Sequence, residues 1–118
     1  MADLENEEKL INRDTLNRYT GGAATDAEFI EALEGSFENF IHNYRLFLLA
    51  RDMERLRRTG HNIKPTAKMM EVDILLEEYD HGKSLIRKDA SIDKLRESGK
   101  RMQKIVDRIL DEIDNFSE

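Results

Sequence analysis

Residues 92–116 carry the sequence IDKLRESGKRMQKIVDRILDEIDNF, in which apolar residues and one glycine recur at alternating intervals of three and four. The positions in this series are Ile92, Leu95, Gly99, Met102, Val106, Ile109, Ile113 and Phe116. Such spacing is the a/d heptad pattern of a helix that packs lengthwise against other helices. Ile105 and Leu110 widen its apolar face, which suits a helix between two neighbours better than a free-standing coiled coil. We therefore predict a helix over residues 90–115 that belongs to a helical bundle.

The composition of the chain also favours an all-α fold. Charged residues make up 37% of the 118 residues, aromatic residues 7%, and there is one proline. Because β-branched and aromatic residues are enriched in strands, their scarcity makes a sheet a poor alternative.

Features of the sequence also bear on location. Cysteine is absent, so neither a disulfide nor a thiolate metal site is expected, and an intracellular or cytoplasmic location is the default. The first residues show no secretory signal pattern, and no apolar run approaches the roughly 20 residues of a membrane helix. We predict an intracellular protein that makes no membrane contact.

A run of small residues after Gly21 divides the sequence into two parts. Residues 1–24 are predicted to be an acidic N-terminal arm, and residues 25–118 a helical bundle domain. Over residues 1–38, ten acids stand against three bases, whereas the net charge of the whole chain is −6. The arm is too polar to supply much of a core, so we expect it to be mobile or ordered by a partner.

The predicted domain contains three major helices. Their predicted ranges are residues 26–58, 65–81 and 90–115. Thr25 and Glu28 have the spacing of a capping box that opens the first helix. Thr59 and Gly60 are expected to end it, since glycine commonly follows a helix C-terminus. Pro65 suits the first turn of the second helix, where its missing N–H breaks no hydrogen bond. The predicted fold class is therefore an all-α bundle of three major helices with a short polar N-terminal helix or arm.

Two small groups of apolar residues lie away from the main apolar stripes of the first two predicted helices. These residues are Leu49, Met53, Leu56, Met70 and Ile74. They either bury one another in a helical hairpin or form an interface with another copy of the chain or a helical partner. The second alternative predicts a homo-oligomer or a complex with a helical protein.

Basic residues concentrate around the predicted turn between the first two helices. Residues 45–68 carry seven bases against Asp52 and Glu54. The candidate binding residues are Arg51, Arg55, Arg57, Arg58, Lys64 and Lys68. Such a cluster is either a solvated helix face or a site for an acidic partner or a nucleic-acid backbone. No aromatic residue lies among them, so stacking on single-stranded bases is not indicated.

Patterns that would indicate catalysis or cofactor binding are incomplete. Glu78 and His81 have the Glu-x-x-His spacing of di-iron bundles, but the further ligands are missing. Gly82-Lys83-Ser84 matches the end of a phosphate-binding loop without its earlier glycine or its strand. We therefore predict no catalytic residues, no metal site, no cofactor and no small-molecule substrate.

The run ERLRRTG over residues 54–60, followed by Pro65 and an apolar helix that ends near Gly82, resembles a known hairpin in outline. The similar element is the helix–turn–helix of the small terminase subunits of short-tailed phages, which are small, helical, ring-forming DNA-packaging proteins. The resemblance covers less than a third of the chain. It implies a helical oligomer that binds DNA.

These observations lead to two functional hypotheses. The leading one is a non-enzymatic helical interaction protein, such as an oligomerising scaffold, adaptor or regulatory subunit, that acts through exposed apolar helix stripes. The alternative is a nucleic-acid-associated helical oligomer, for example a small-terminase-like phage protein, that uses the basic cluster over residues 51–68. A measurement of the oligomeric state would show whether the surplus apolar residues are buried within one chain or form an interface.

Overall fold

A computed structural model describes residues 27–117 of the protein, with side chains for residues 27–115. The described residues form four α-helices and no strand. The helices are α1 (Ala27–Leu49), α2 (Met53–Met69), α3 (Asp73–Arg87) and α4 (Ile92–Ser117). The all-α prediction is confirmed, whereas the predicted number of major helices is too low by one. The predicted N-terminal arm over residues 1–24 and the capping role of Thr25 lie outside the described residues.

The four helices pack as an up-down-up-down bundle. α1 packs against α2 and α4, α3 also packs against α2 and α4, and α1 and α3 touch only slightly. The contacts between α1 and α4 establish that these helices run antiparallel, because Arg45 bonds Gln103 whereas the earlier Glu34 lies near the later Asp114. Short connections between consecutive helices are typical of this topology.

The heptad face of α4 lies in the core, as predicted. Its buried apolar residues are Leu95, Met102, Ile105, Val106, Ile109 and Ile113. They pack against the main stripe of α1, which includes Phe37, Tyr44 and Leu48. Ile92, the first residue of the heptad series, is 41% exposed, so burial of the series begins at Leu95.

The predicted helix over residues 26–58 is wrong, because the chain turns at residues 50–52. Arg51 adopts a left-handed backbone conformation with φ 55°. The N–H of Arg51 bonds the carbonyl of Leu48, and the N–H of Asp52 bonds that of Phe47. These are the two hydrogen bonds of a Schellman motif, which ends α1. The Asp52 carboxylate then accepts a hydrogen bond from the Arg55 backbone N–H at 3.1 Å and caps α2.

The predicted helix stop at Thr59 and Gly60 and the predicted start at Pro65 are also wrong. All three residues lie within α2. Gly60 is buried where α2 meets α3, and a Cβ atom there would overlap the ring of Tyr79. This glycine therefore permits close helix packing and does not end a helix. Pro65 removes one internal hydrogen bond from a helix that tertiary packing still supports.

The predicted helix over residues 65–81 is divided between α2 and α3, because the chain turns again after Met69. Glu71, with φ 58°, and Asp89, with φ 53°, occupy the left-handed positions that end α2 and α3. Each turn repeats the Schellman hydrogen bonds seen at Arg51. α3 continues past Gly82 to Arg87, so the segment after Gly82 is helical.

We expect Asp89→Gly to raise the free energy of unfolding by roughly 0.5–1 kcal/mol, because glycine adopts a positive φ without the Cβ penalty. The Asp89 side chain is largely exposed and its ion pair with Arg51 is long, at 3.4 Å, so the loss of that pair costs little stability. Urea denaturation would measure the change. Lys88→Gly is the matched control, since Lys88 has φ −88° and should lose stability on the same substitution. Equal losses in both variants would contradict the prediction.

Candidate anion-binding groove

α2 concentrates positive charge on its solvent side. Five of the six predicted basic residues lie on this helix, and Glu54 is the only acidic residue in its sequence. The five are Arg55, Arg57, Arg58, Lys64 and Lys68, and all are exposed. Leu56, Ile63 and Ala67 occupy the opposite, buried side. The helix therefore presents an excess of four positive charges to solvent.

Three of the six predicted cations are engaged within the chain. Arg51 pairs with Asp89 and donates to the carbonyl of Ala90, which ties the α1–α2 turn to the α3–α4 turn. Arg58 pairs with Glu54 at 2.8 Å, and Arg55 lies 3.6 Å from the Asp52 carboxylate. Because these ion pairs are exposed, they hold the side chains only weakly.

The other three cations share one face of α2. Arg57, Lys64 and Lys68 lie with His61 at successive intervals of four, three and four residues, which places all four on one side of a helix. Within residues 27–115, no carboxylate forms an ion pair with Arg57, Lys64 or Lys68. This face adjoins α3 and is the most cationic part of α2 that is left unneutralised.

A groove of about 340 Å³ lies between this face and α3. Its lining residues are Arg57, Gly60, His61 and Lys64 from α2, and Leu76, Tyr79, Asp80 and Lys83 from α3. Gly60 lets the two helices approach, and the Tyr79 hydroxyl donates to the Arg57 carbonyl at 3.5 Å. The side chains of Arg57, His61 and Lys64 on α2 thus face Lys83 on α3 across one groove.

Tyr79 and Lys83 form the α3 side of the groove. The Lys83 ammonium lies 4.5 Å from the centre of the Tyr79 ring and 3.4 Å from an Asp80 carboxylate oxygen. Burial, and then the charge of Asp80, raise the pKa of the Tyr79 hydroxyl, while the charges of Arg57 and Arg87 oppose the shift. Tyr79 therefore stays protonated at neutral pH and acts as a hydrogen-bond donor.

A second groove, of about 430 Å³, lies between α3 and α4 and is also lined by cations. Its ionisable residues are His81, Lys88, Lys94, Glu97 and Arg101. Arg101 is already bound to Glu78 through two hydrogen bonds, and the Glu78 contact raises the pKa of Arg101. The α2–α3 groove is the stronger candidate, because none of its α2 cations is neutralised in this way.

Glu78 belongs to a buried polar network that joins three helices. Its carboxylate accepts from Ser98 at 2.6 Å and from Arg101, and its carbonyl accepts from the Tyr44 hydroxyl at 3.1 Å. Burial raises the pKa of the Tyr44 hydroxyl well above its ordinary value, so the hydroxyl stays protonated and can donate. Among the described residues, every buried side-chain nitrogen or oxygen has a hydrogen-bond partner. The network ties α3 to α4 and to Tyr44 of α1, and none of its polar groups is aimed at a ligand.

The motifs considered for metal or phosphate-loop chemistry are separated in the fold. Glu78 is buried in the network, whereas His81 is exposed. Gly82, Lys83 and Ser84 lie inside α3 and form no loop. No group of three metal-binding side chains occurs within the described part of the chain. None of the helices described here is both long enough and apolar enough to span a membrane.

The predicted apolar interface does not form one surface. Leu56 and Met70 lie in the core of the single chain. The turns at residues 50–52 and 70–72, which the sequence does not predict, direct both side chains inward. Leu49 and Met53 lie beside the α1–α2 turn, and Ile74 lies at the opposite end of the bundle, in the first turn of α3. The homo-oligomer stays a prediction. Large apolar residues that are exposed include Leu46, Leu49 and Ile92.

His61 and Lys83 are groove residues that the sequence interpretation missed. The predicted helices over residues 26–58 and 65–81 leave His61 between them, so its spacing from Arg57 and Lys64 carries no meaning in the sequence. Recognition of α2 as one helix would have placed the three on one face. Lys83 has no comparable signal, because its position opposite α2 depends on the α2–α3 turn and on the close contact at Gly60.

Comparisons of the chain with protein-family models, with curated proteins and with solved structures gave no match. In addition, the segment that resembles the terminase hairpin has no turn where that hairpin requires one, since residues 59–64 are helical. Function is therefore inferred from the geometry and charge of this chain.

Proposed function

We propose that this protein is a non-enzymatic helical interaction protein that binds an acidic segment of a partner protein through the solvent side of α2. One observation carries the proposal: α2 exposes five bases against one acid, while Arg57, Lys64 and Lys68 pair with no carboxylate among the described residues. Basic surfaces of this kind attract acidic segments and increase their rate of association.

Charge on the neighbouring helix favours a protein segment over duplex DNA. Asp73, Glu77 and Asp80 lie at intervals of four and three on the exposed side of α3, next to the basic face of α2. A long, uniformly charged duplex that covered both helices would meet these carboxylates. A narrow acidic segment can follow α2 alone. The test must therefore distinguish binding of duplex DNA from binding of an acidic protein segment.

We expect a fluorescently labelled oligoglutamate peptide to bind the protein, with an affinity that falls as salt is added because exposed charges are screened. Arg58→Glu combined with Lys68→Glu should weaken this binding on the order of tenfold, since both residues lie on the solvent side of α2. Fluorescence anisotropy across a salt series would measure it.

Lys100→Glu combined with Lys104→Glu is the matched control. Both residues are exposed on α4, and the pair changes the net charge by the same amount. Binding that falls equally in the two double variants would reflect net charge alone and would overturn α2 as the site. Tighter binding of a labelled DNA duplex, lost in the α2 variant only, would replace the protein partner with nucleic acid.

A further inference from the structure

We propose that the groove between α2 and α3 is a binding site for a phosphate monoester, carried by a phosphorylated serine or threonine of the partner segment. The inference rests on the proposed function and names the chemical class of the group that the partner presents. Its basis is the convergence of Arg57, His61 and Lys64 on Lys83 across one groove.

The groove supplies the donors that a phosphate monoester requires. At neutral pH such a group carries a charge of about −1.5 to −2 and three strongly accepting oxygens. Arg57 offers a planar array of N–H donors, and Lys64 and Lys83 offer ammonium groups from opposite sides of the groove. Charge-assisted hydrogen bonds of this type are stronger than neutral ones, and clusters of basic residues use them to recognise phosphorylated segments.

Gly60 is the feature that brings the two sets of donors within reach of one small anion. A side chain at this position would overlap the ring of Tyr79 and push α3 away from α2. With glycine there, the Tyr79 hydroxyl bonds the Arg57 carbonyl and fixes the spacing of the two helices. Backbone and ring contacts below the cationic side chains thus set the width of the groove.

The size of the groove suits one phosphorylated side chain. Its volume of about 340 Å³ lies at the lower end of the range for small-ligand sites. Tyr79 is 8% exposed and its ring is approached by the Lys83 ammonium, so it offers no face on which a nucleic-acid base could stack.

Asp80 favours an isolated phosphate over a chain of phosphodiesters. It lies at the groove beside Lys83, and Asp73 and Glu77 extend the negative charge along α3. A single dianion displaces Lys83 from Asp80 at small cost, because that ion pair is long and Asp80 is largely exposed. Successive phosphates of a nucleic-acid strand would instead approach three carboxylates.

The test compares one peptide in two forms, with serine and with phosphoserine at a central position between glutamate and glycine residues. We expect isothermal titration to give at least about tenfold tighter binding of the phosphorylated form, as for other charge-assisted contacts. Arg57→Gln and Lys64→Gln should each remove most of this preference. Lys68→Gln is the matched control: it should weaken both peptides alike and keep the preference, because Lys68 lies on the same basic face of α2 but does not line the groove.

The outcomes separate this inference from the proposed function. Equal binding of the two peptides, or a preference that Arg57→Gln leaves unchanged, would overturn the phosphate site. If oligoglutamate binding still depends on Arg58 and Lys68 in that case, the proposed function stands without it. A DNA duplex that binds more tightly than the phosphopeptide and loses affinity with Arg57→Gln would overturn the phosphorylated protein segment as the ligand. Circular dichroism of each variant should match the unsubstituted protein, since Arg57 and Lys64 are exposed.

Discussion

Arg101→Met is expected to lower the free energy of unfolding by about 3–5 kcal/mol, because it leaves the Glu78 carboxylate buried without its ionic partner. Glu78 is 5% exposed and accepts from Arg101 Nε at 2.9 Å and Nη2 at 3.3 Å. Methionine fills much of the space of the arginine stem but supplies neither charge nor donors. Only the Ser98 hydroxyl would then contact the carboxylate among the side chains of its present network. Urea denaturation followed by circular dichroism would measure the loss.

Arg96→Met is the matched control for that experiment. Arg96 lies on the same helix and pairs with Asp93 at 3.7 Å, but both side chains are largely exposed, so its loss should change stability by less than about 0.5 kcal/mol. The double variant Glu78→Leu with Arg101→Met should recover a large part of the lost stability, because no charge is then left buried. Similar effects of Arg101→Met and Arg96→Met would show that the buried pair contributes little.

Gly82→Ala is expected to cost about 3 kcal/mol, because an added methyl group would overlap the Tyr44 hydroxyl. The helices cannot relieve this overlap by moving Tyr44 alone. Its hydroxyl bonds the Glu78 carbonyl and lies 2.8 Å from Ser98 Oγ, so displacement breaks the network that joins three helices. Thermal or chemical denaturation would report the change.

Gly35→Ala tests the same substitution in a helix where space is available. A Cβ atom at Gly35 would meet no other atom within 4 Å. Because alanine has a higher helix propensity than glycine, this variant should gain up to about 1 kcal/mol. Opposite signs for Gly82→Ala and Gly35→Ala are therefore expected. A loss in both variants would indicate that helical glycines matter here for a reason other than close packing.

The contrast between these glycines explains which parts of the fold could be predicted. The heptad series of α4 predicted its helix and its buried face, because hydrophobic periodicity survives whatever the connections are. Turns were misplaced for a specific reason: glycine, the usual residue after a helix, lies inside α2 and α3 at Gly60 and Gly82. The left-handed positions are occupied by Arg51, Glu71 and Asp89, which give no strong sequence signal.

The candidate site was predictable in composition but not in arrangement. The cations of α2 stood out in the sequence, because bases outnumber acids there five to one. Their division into ion-paired residues and an unpaired face depended on the α1–α2 turn, which places Asp52 at the start of α2. Lys83 joins the site only through packing of α3 on Gly60, a contact between residues distant in sequence.

The topology of the bundle also has a kinetic consequence. Three of its four main helix contacts join consecutive helices across connections of three or four residues, and such local contacts form quickly. Contact between α1 and α4 is different, since it closes a loop that contains the whole α2–α3 hairpin. We expect the folding rate to be set by this closure. Substitutions at the α1–α4 contact should then slow folding, and so should those between α2 and α3, because that local contact has already formed when the closure takes place.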